Sequence, residues 1–200
     1  MSAERLLIAT KNVGKLAEIR TLLADTPYDV CSLDDFPELA DIPEYGTTFE
    51  ANAVQKAETG RKKTRLLTLA DDSGIEVKAL GNQPGVRSAR FAGPDANDSD
   101  RNEKILEMLE AAGGRPRNAR FRCAMAVADG AETRIFFGDV EGQLAHEQRG
   151  NNGFGYDAIF IPEGKDQTFG ELPIEYKNGV SHRARALVQA IAYLKQRVSS

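Results

Sequence analysis

The 200-residue chain carries a net charge of −4, and 41% of its residues are hydrophobic and 28% charged. This is the composition of an ordinary globular protein, with enough apolar residues for a core in one large domain or two closely packed lobes. The negative charge argues against a protein that coats nucleic acid, because such proteins need a broad positive field to displace counterions. Any phosphate-binding site must therefore be confined to a small part of the protein.

The sequence lacks the features of a secreted or membrane protein. Its first residues pass straight into an apolar run, which leaves no room for a secretion signal. No apolar run approaches the roughly 18 residues of a membrane span. Cys31 and Cys123 are single and far apart, which predicts buried, reduced thiols and no disulfide or zinc site. We expect a cytoplasmic protein that binds neither nucleic acid nor membrane.

Hydrophobic periodicity predicts alternating strands and helices. The predicted strands are residues 5–9, 28–33, 66–70, 74–79, 119–128, 134–140 and 158–161, and the predicted helices are residues 15–24, 48–63, 99–111 and 182–197. The early strand–helix–strand order favours parallel pairing, whereas the segment 120–140, with Asp129-Gly130 at its centre, predicts an antiparallel hairpin. The fold class is therefore α/β with a mixed sheet.

A polar turn separates the first predicted strand from the first predicted helix. Its residues are Thr10, Lys11, Asn12, Val13, Gly14 and Lys15. Free amides at a helix start favour an anion, and Gly14 allows the backbone to approach it closely. Lys11 and Lys15 add positive charge, so the turn is a candidate phosphate site. An ordinary strand–helix connection with surface lysines would contain the same residues.

Two adjacent carboxylates, Asp71 and Asp72, follow the apolar run 66–70 and precede Ser73. At the end of a buried strand such carboxylates repel each other and lose hydration, so a cation is expected beside them. Mg²⁺ suits this position, because it takes one or two carboxylates and completes its shell with water and substrate phosphate. Glu44 could join as a second carboxylate. The alternatives are a solvated turn and, for Glu44, an ordinary surface acid.

The second predicted helix carries a candidate catalytic lysine. A capping box formed by Thr47 and Glu50 predicts where this helix begins. Asn52 and Lys56 lie one position back from its buried stripe, at the edge of the buried face. Lys56 could therefore reach a phosphate or the acidic cluster, although a lysine at such an edge more often extends into solvent.

A glycine-rich segment, residues 151–157, precedes the last predicted strand. Its glycines let the backbone approach a ligand, so Phe154 could stack on a base while Asp157 accepts hydrogen bonds or faces a cation. A hairpin loop with its aromatic ring in the core would have the same sequence. The segment is a candidate base-binding loop.

Ser181, His182 and Arg183 open the last predicted helix. Ser181 is a good N-cap, but Arg183 lies where the helix dipole disfavours a cation. A cation at this place points to an anionic or carbonyl-bearing partner. Lys177 adds another donor nearby in the sequence, and neither residue alone identifies a function.

Five motifs, ATKNVGK, PEYGTTFEANAxxKA, LADDSG, GFGYD and SHRA, follow one another along the chain. In this order and spacing they closely resemble the inosine triphosphate pyrophosphatase family, whose bacterial members act on non-standard purine nucleotides. The resemblance covers essentially the whole chain. It implies one domain over residues 1–200, with an elongated mixed sheet and flanking helices that form two lobes around a central nucleotide cleft. It also implies a homodimer.

The resemblance further implies an activity. Members of the family hydrolyse ITP, dITP and XTP between the α and β phosphates with Mg²⁺, which removes these nucleotides before they enter DNA or RNA. The rival interpretation is a nucleotide-binding regulator without turnover, which leaves Glu44, Asp71 and Asp72 without a role. Magnesium-dependent release of pyrophosphate from ITP distinguishes the two.

The same resemblance assigns roles to residues. The turn 10–15 would hold the triphosphate, Glu44 and Asp72 would bind the metal, and Asp72 would accept a proton from water, with Lys56 as a second catalytic candidate. The other substrate contacts would come from Ser73, Phe154, Gly155, Tyr156, Asp157, Lys177, His182 and Arg183. Because a turn can aim either of two adjacent acids inward, the choice between Asp71 and Asp72 as the base stays open.

We expect hydrogen-bond donors of the protein to select the purine ring of the substrate. A 6-oxo purine presents an acceptor where adenine has an amino group, so His182 and Arg183 would favour it over adenine. Guanine shares the 6-oxo group, so its rejection must involve its 2-amino group.

Overall fold

The computed structural model describes residues 3–39, 42, 44–113 and 115–198. This part of the chain contains seven strands and five α-helices. In chain order they are β1 (Glu4–Ile8), α1 (Val13–Leu23), β2 (Tyr28–Ser32), α2 (Phe49–Thr64), β3 (Leu67–Val77), β4 (Gln83–Pro84), α3 (Asp98–Ala111), β5 (Asn118–Ala128), β6 (Thr133–Leu144), β7 (Phe160–Pro162), α4 (Ile174–Val180) and α5 (His182–Val198). Among these helices, none combines the length and apolar character that a membrane span requires.

The strands form one mixed sheet in the order β2-β1-β3-β5-β6-β7, and β4 pairs with β3 off this path. Strand β1 runs parallel to both β2 and β3, so that Ile8 lies beside Ser32 on one side and Leu69 on the other. The pairs β3–β4 and β6–β7 are antiparallel. The predicted α/β class with a mixed sheet and flanking helices is confirmed.

One compact unit consists of the described residues of 1–72, 123–138 and 183–200. Its apolar core joins one face of the sheet to α1 and α5. From the sheet it takes Leu6, Ile8, Leu67, Leu69, Cys123, Met125 and Val127, and from the two helices Leu16, Ile19, Leu23, Ala186, Leu187, Ala190 and Leu194. In β1 and β3 these positions alternate along the strand, because successive side chains point to opposite faces.

Helix α2 packs on the opposite face of the same strands. A Cβ atom on Gly60 would lie 2.8 Å from Thr68 Cγ2 and 3.2 Å from Leu7 Cδ2, so the absence of a side chain lets the helix approach closely. Along β3, Leu67 and Leu69 thus face α1 and α5, and Thr68 faces α2. This alternation decides the surroundings of the acidic residues that follow.

The second compact unit consists of the described residues of 73–122 and 139–182. Its core contains three neighbouring aromatic rings, Phe121, Phe160 and Phe169, and the centroids of the first two lie 4.6 Å apart. Ile105 and Leu109 of α3 are fully buried in the same core. The assignment of both units to a single two-lobed domain stays a prediction.

The predicted break between strands 66–70 and 74–79 is wrong, because β3 runs unbroken from Leu67 to Val77. Gly74 is a point of close packing: a Cβ atom there would lie 2.3 Å from Ser88 Oγ, and the next amide, of Ile75, donates to the same hydroxyl at 3.0 Å. Asp71 and Asp72 therefore lie inside a strand and not at its end.

Two smaller differences concern helices. The N-cap of α2 is Thr48 and not Thr47, since the Ala51 amide donates to Thr48 Oγ1 at 3.1 Å. Helix α4 was not predicted. It contains Asn178-Gly179, a sequence typical of turns, and forms where Tyr176 and Val180 pack against the core of the second unit.

Candidate active site

Asp71 lies on the face of β3 that packs against α1 and α5, and it is fully buried. Its Oδ2 atom is 3.0 Å from Lys15 Nζ and 3.2 Å from Arg183 Nε. Burial alone would raise the pKa of this carboxyl, but the ammonium of Lys15 and the guanidinium of Arg183 outweigh it and hold the pKa well below its usual range. Asp71 is therefore ionised and neutralised by two neighbouring cations.

Arg183 pairs with a second buried acid, Glu18 of α1. Burial would lower the pKa of the guanidinium, but Asp71 and Glu18 raise it above its usual value. The two acids are anionic partners, within the protein, of this cation in the first turn of α5, so its position does not by itself indicate a ligand. A substrate contact by Arg183 stays a prediction. Glu18 was missed, although an acid between the buried residues Leu16 and Ile19 is a usable signal.

Asp72 points to the other face of β3, toward α2. Its Oδ2 atom accepts a hydrogen bond from Asn52 Nδ2 at 2.8 Å, and its Oδ1 atom lies 3.8 Å from Lys56 Nζ. The Asn52 amide is oriented because its Oδ1 atom accepts from the Gly46 amide at 2.8 Å. Burial raises the pKa of Asp72 above its usual value, and the lysine and asparagine offset this only in part.

Lys56 lies between two carboxylates. Its ammonium is 2.7 Å from Glu44 Oε1 and 3.8 Å from Asp72 Oδ1, and the residue is only 6% exposed. Burial would lower its pKa, but Asp72, Asp71 and Glu44 together raise it, so the ammonium form persists. Lys56 thus reaches the acidic cluster and does not extend into solvent.

Glu44 and Asp72 suit a divalent cation, because both already face one positive group, the Lys56 ammonium. Within residues 3–39, 42, 44–113 and 115–198, no group of three or more His, Cys, Asp or Glu side chains is arranged to hold a metal ion. Two carboxylates are nevertheless a normal protein contribution to a Mg²⁺ site, since this ion keeps several waters and takes other ligands from phosphate.

The turn before α1 has local structural contacts of its own. The Lys15 amide donates to the N-cap side chain of Asn12 at 2.9 Å, and the Asn12 amide donates to Thr10 Oγ1 at 3.2 Å. Lys11 and Val13 are exposed, and Gly14 is half-buried. These contacts shape the helix start that was predicted to bind phosphate, and that binding stays a prediction.

In the second unit, Asp157 organises the glycine-rich loop. Its Oδ2 atom accepts from the Phe154 amide at 2.8 Å and pairs with Lys177 of α4. The Lys177 ammonium also lies 4.5 Å from the centroid of the Phe154 ring, a cation–π contact. At Gly153, where φ is +74°, a Cβ atom would lie 2.0 Å from Asp157 Oδ2, so a side chain there would displace the carboxylate.

Two contacts from other segments hold the same loop. The Gly155 amide donates to Asp98 Oδ2 at 2.6 Å, and the Tyr156 hydroxyl donates to the Ser88 carbonyl at 2.8 Å. Sequence reasoning missed Asp98 and Ser88, because the two partners of each bond are 57 and 68 residues apart. Neither contact has a signal in the local sequence.

Ser73 and His182, the remaining predicted contacts, belong to the second unit. Ser73 is half-buried on β3. The His182 ring is buried and stacks on Phe121, with centroids 4.6 Å apart and an interplanar angle of 7°. This stacking fixes the plane of the imidazole.

The chain matches the model of the Ham1 family over residues 6–193. It belongs to the Ham1 family. A protein of Bacillus licheniformis named dITP/XTP pyrophosphatase is 48% identical to this chain, with 96% of this chain and 99% of the relative covered. A protein of the same name from Geobacter sulfurreducens is 46% identical, with 92% of each chain covered.

Solved structures of Ham1 proteins have the same fold. A Ham1 protein from Coxiella burnetii superposes with a TM-score of 0.89 at 41% identity, covering 96% of this chain and 99% of that one. A protein from Mycobacterium abscessus, described as a nucleoside-triphosphatase and dITP/XTP pyrophosphatase, gives 0.74 at 40% identity, covering 93% and 98%. The similarity inferred from the five motifs is confirmed.

Proposed function

We propose that this Ham1 protein is a dITP/XTP pyrophosphatase, a hydrolase that converts non-standard purine nucleoside triphosphates into monophosphates and pyrophosphate. The proposal rests on sequence similarity, over nearly the whole chain, to relatives of that name. Asp72 adds a chemical reason, since a regulator without turnover has no need for a buried acid of raised pKa beside a lysine. The enzyme clears these nucleotides before they enter DNA or RNA.

Asp72 is the better candidate for the base that activates water. A general base works best when its pKa lies near the operating pH, and burial moves the pKa of Asp72 upward. The pKa of Asp71 moves the other way, because Lys15 and Arg183 stabilise its charge. Asp71 is therefore a weak base and a strong structural anchor.

We propose Mg²⁺ as the cofactor, held by Glu44 and Asp72. Bound there, it would place positive charge against the phosphate oxygens. Lys56, which now neutralises both carboxylates, would then be able to turn toward the phosphates and offset the charge that develops on the pyrophosphate leaving group. Lys15, 13% exposed at the start of α1, supplies a second positive group for the triphosphate.

The purine is proposed to contact the loop 154–157, with Lys177, His182 and Arg183 as donors. Phe154 is half-buried, so part of its ring is accessible for stacking. Donors directed at a 6-oxo group favour hypoxanthine and xanthine over adenine. A cytoplasmic homodimer that binds neither nucleic acid nor membrane is also part of the proposal.

The decisive experiment is release of pyrophosphate by the purified protein from dITP, XTP, dATP and dGTP, with Mg²⁺ or with excess EDTA. We expect magnesium-dependent turnover and a kcat/KM for dITP at least about 100-fold above that for dATP. Tight binding of dITP without pyrophosphate release would instead support the regulator. Sedimentation velocity of the same sample tests the dimer.

A further inference from the structure

Asp98 contacts the proposed purine-binding loop from a distant segment of the second unit. It is the first residue of α3, directly after the N-cap Asn97, and its Oδ2 atom accepts from the Gly155 amide at 2.6 Å. Gly155 lies between Phe154 and Tyr156 and has a φ of +65°. Because glycine has no side chain, contacts of its backbone must hold it in place.

The Asp98 carboxylate is held from its other side by Arg101, one helical turn later. The Arg101 guanidinium pairs with Asp98 Oδ1, and its Nη1 atom donates to the carbonyls of Ala96 and Ala89. Both oxygens of Asp98 are therefore engaged, one by the helix and one by the loop. This fixes the carboxylate in an orientation that suits the Gly155 amide.

The neighbours of Gly155 are held by other groups. The Phe154 amide donates to Asp157 at 2.8 Å, and the Tyr156 hydroxyl donates to the Ser88 carbonyl at 2.8 Å. The Asp98 contact thus falls at the centre of the loop, between two other anchors. Without this central anchor the peptide that joins Phe154 to Gly155 would lose its hydrogen-bond acceptor, and we expect the order of the Phe154 ring to decrease.

We propose that Asp98 is a positioning residue that orders the loop 154–157 for the purine ring. The inference rests on the proposed function, because it requires that this loop contacts the substrate base. Asp98 belongs to the second unit, whereas the carboxylates proposed to serve the phosphates, Glu44 and Asp72, belong to the first. Its effect should therefore fall on KM, with kcat nearly unchanged.

A simpler explanation is that Asp98 only stabilises the start of α3, where the helix dipole favours an acid. Asp100 provides the matched control. It lies in the same first turn, its Oδ2 atom accepts from the Asn97 amide at 2.8 Å, and its own amide donates to Asn97 Oδ1 at 3.0 Å, which completes a capping box. Asp100→Ala removes a helix-stabilising acid without removing a loop contact.

The test measures pyrophosphate release from dITP and inhibition by inorganic tripolyphosphate, which has no base. Asp98→Ala should raise KM for dITP about 10-fold and change kcat less than about two-fold, the scale of one lost hydrogen bond. The Ki of tripolyphosphate should not change. Asp98→Asn keeps an acceptor oxygen and should restore KM to within about three-fold of wild type. Asp100→Ala should lower Tm and leave KM unchanged.

Hydrogen exchange of the Gly155 amide provides a readout that does not need turnover, and it should be faster in Asp98→Ala than in wild type. An unchanged KM in folded Asp98→Ala, a parallel rise in the Ki of tripolyphosphate, or the same KM rise in Asp100→Ala would overturn the proposal. Should Asp98→Ala not fold, Asp98→Glu keeps the charge but displaces the oxygen, and it must show the same KM effect. A wild-type enzyme inactive on dITP would refute the proposed function instead.

Discussion

The two faces of β3 give adjacent acids opposite properties. Asp71 continues the face of Leu67 and Leu69, where α1 and α5 bring Lys15 and Arg183 against its carboxylate. Asp72 faces α2, which offers one amide hydrogen bond and one more distant lysine. Cations outweigh burial on the first face, and burial outweighs them on the second, so the pKa values move apart.

This difference assigns separate roles to two identical side chains. An acid that is already paired with two cations is part of the folded framework, and its removal takes away the carboxylate that Lys15 and Arg183 share. An acid whose charge is costly in the folded protein is available for a proton or a metal ion. The following predictions test this division, beginning with the largest expected effect.

Asp71→Asn should lower the free energy of unfolding by about 3–5 kcal/mol, because it leaves the charges of Lys15 and Arg183 without their shared carboxylate. Urea denaturation of the variant and of wild type measures the difference. A loss below about 1 kcal/mol, the scale of an exposed ion pair, would contradict the structural role of Asp71.

Asp72→Asn should lower kcat by about 100-fold or more, the scale of a lost general base, while Tm stays at or above the wild-type value. The substitution removes a charge that burial disfavours and keeps an oxygen that can accept from Asn52. Pyrophosphate release and thermal unfolding are measured on one preparation, with Asp71→Asn as the adjacent-residue control. Near-normal turnover of this variant would show that another group acts as the general base.

Lys15→Ala should weaken binding of dITP by about 1.5–3 kcal/mol and binding of inosine far less, because the proposed partner of the ammonium is phosphate. Calorimetry with both ligands makes the comparison, and Arg20→Ala, an exposed cation on the same helix, is the control. Equal losses of binding free energy for dITP and inosine would show that Lys15 does not contact the phosphates.

The pH dependence of stability should reveal the depressed pKa of Asp71. The folded pKa of Asp71 is depressed, so its contribution is fully present above its unfolded pKa of about 3.9 and is lost as the pH falls below that value. The stability gap between wild type and Asp71→Asn should therefore be constant from pH 5 to 7, which lies above that pKa, and narrow toward pH 2.5. Urea denaturation across this range tests it, and a gap that stays constant would contradict the depressed pKa.

Helices α1, α2, α3 and α5, and most strands, could be predicted because their periodicity and caps are local properties of the chain. The break predicted at residues 71–73 was wrong. It was predicted because two acids and a serine followed by a glycine have the composition of a turn. Their place within β3 depends on groups from elsewhere, because Lys15, Asn52 and Ser88 satisfy the acids and the neighbouring amide of Ile75.

The sequence by itself determined the α/β alternation, the order of the five motifs and the family to which they belong, because residue spacing carries these features. Tertiary structure decided which acid is neutralised, where the charge of Arg183 is balanced, and that Asp98 holds Gly155. Charge pairing and desolvation depend on groups that folding brings from distant segments. Adjacent residues such as Asp71 and Asp72 therefore look alike in the sequence and differ only in the folded protein.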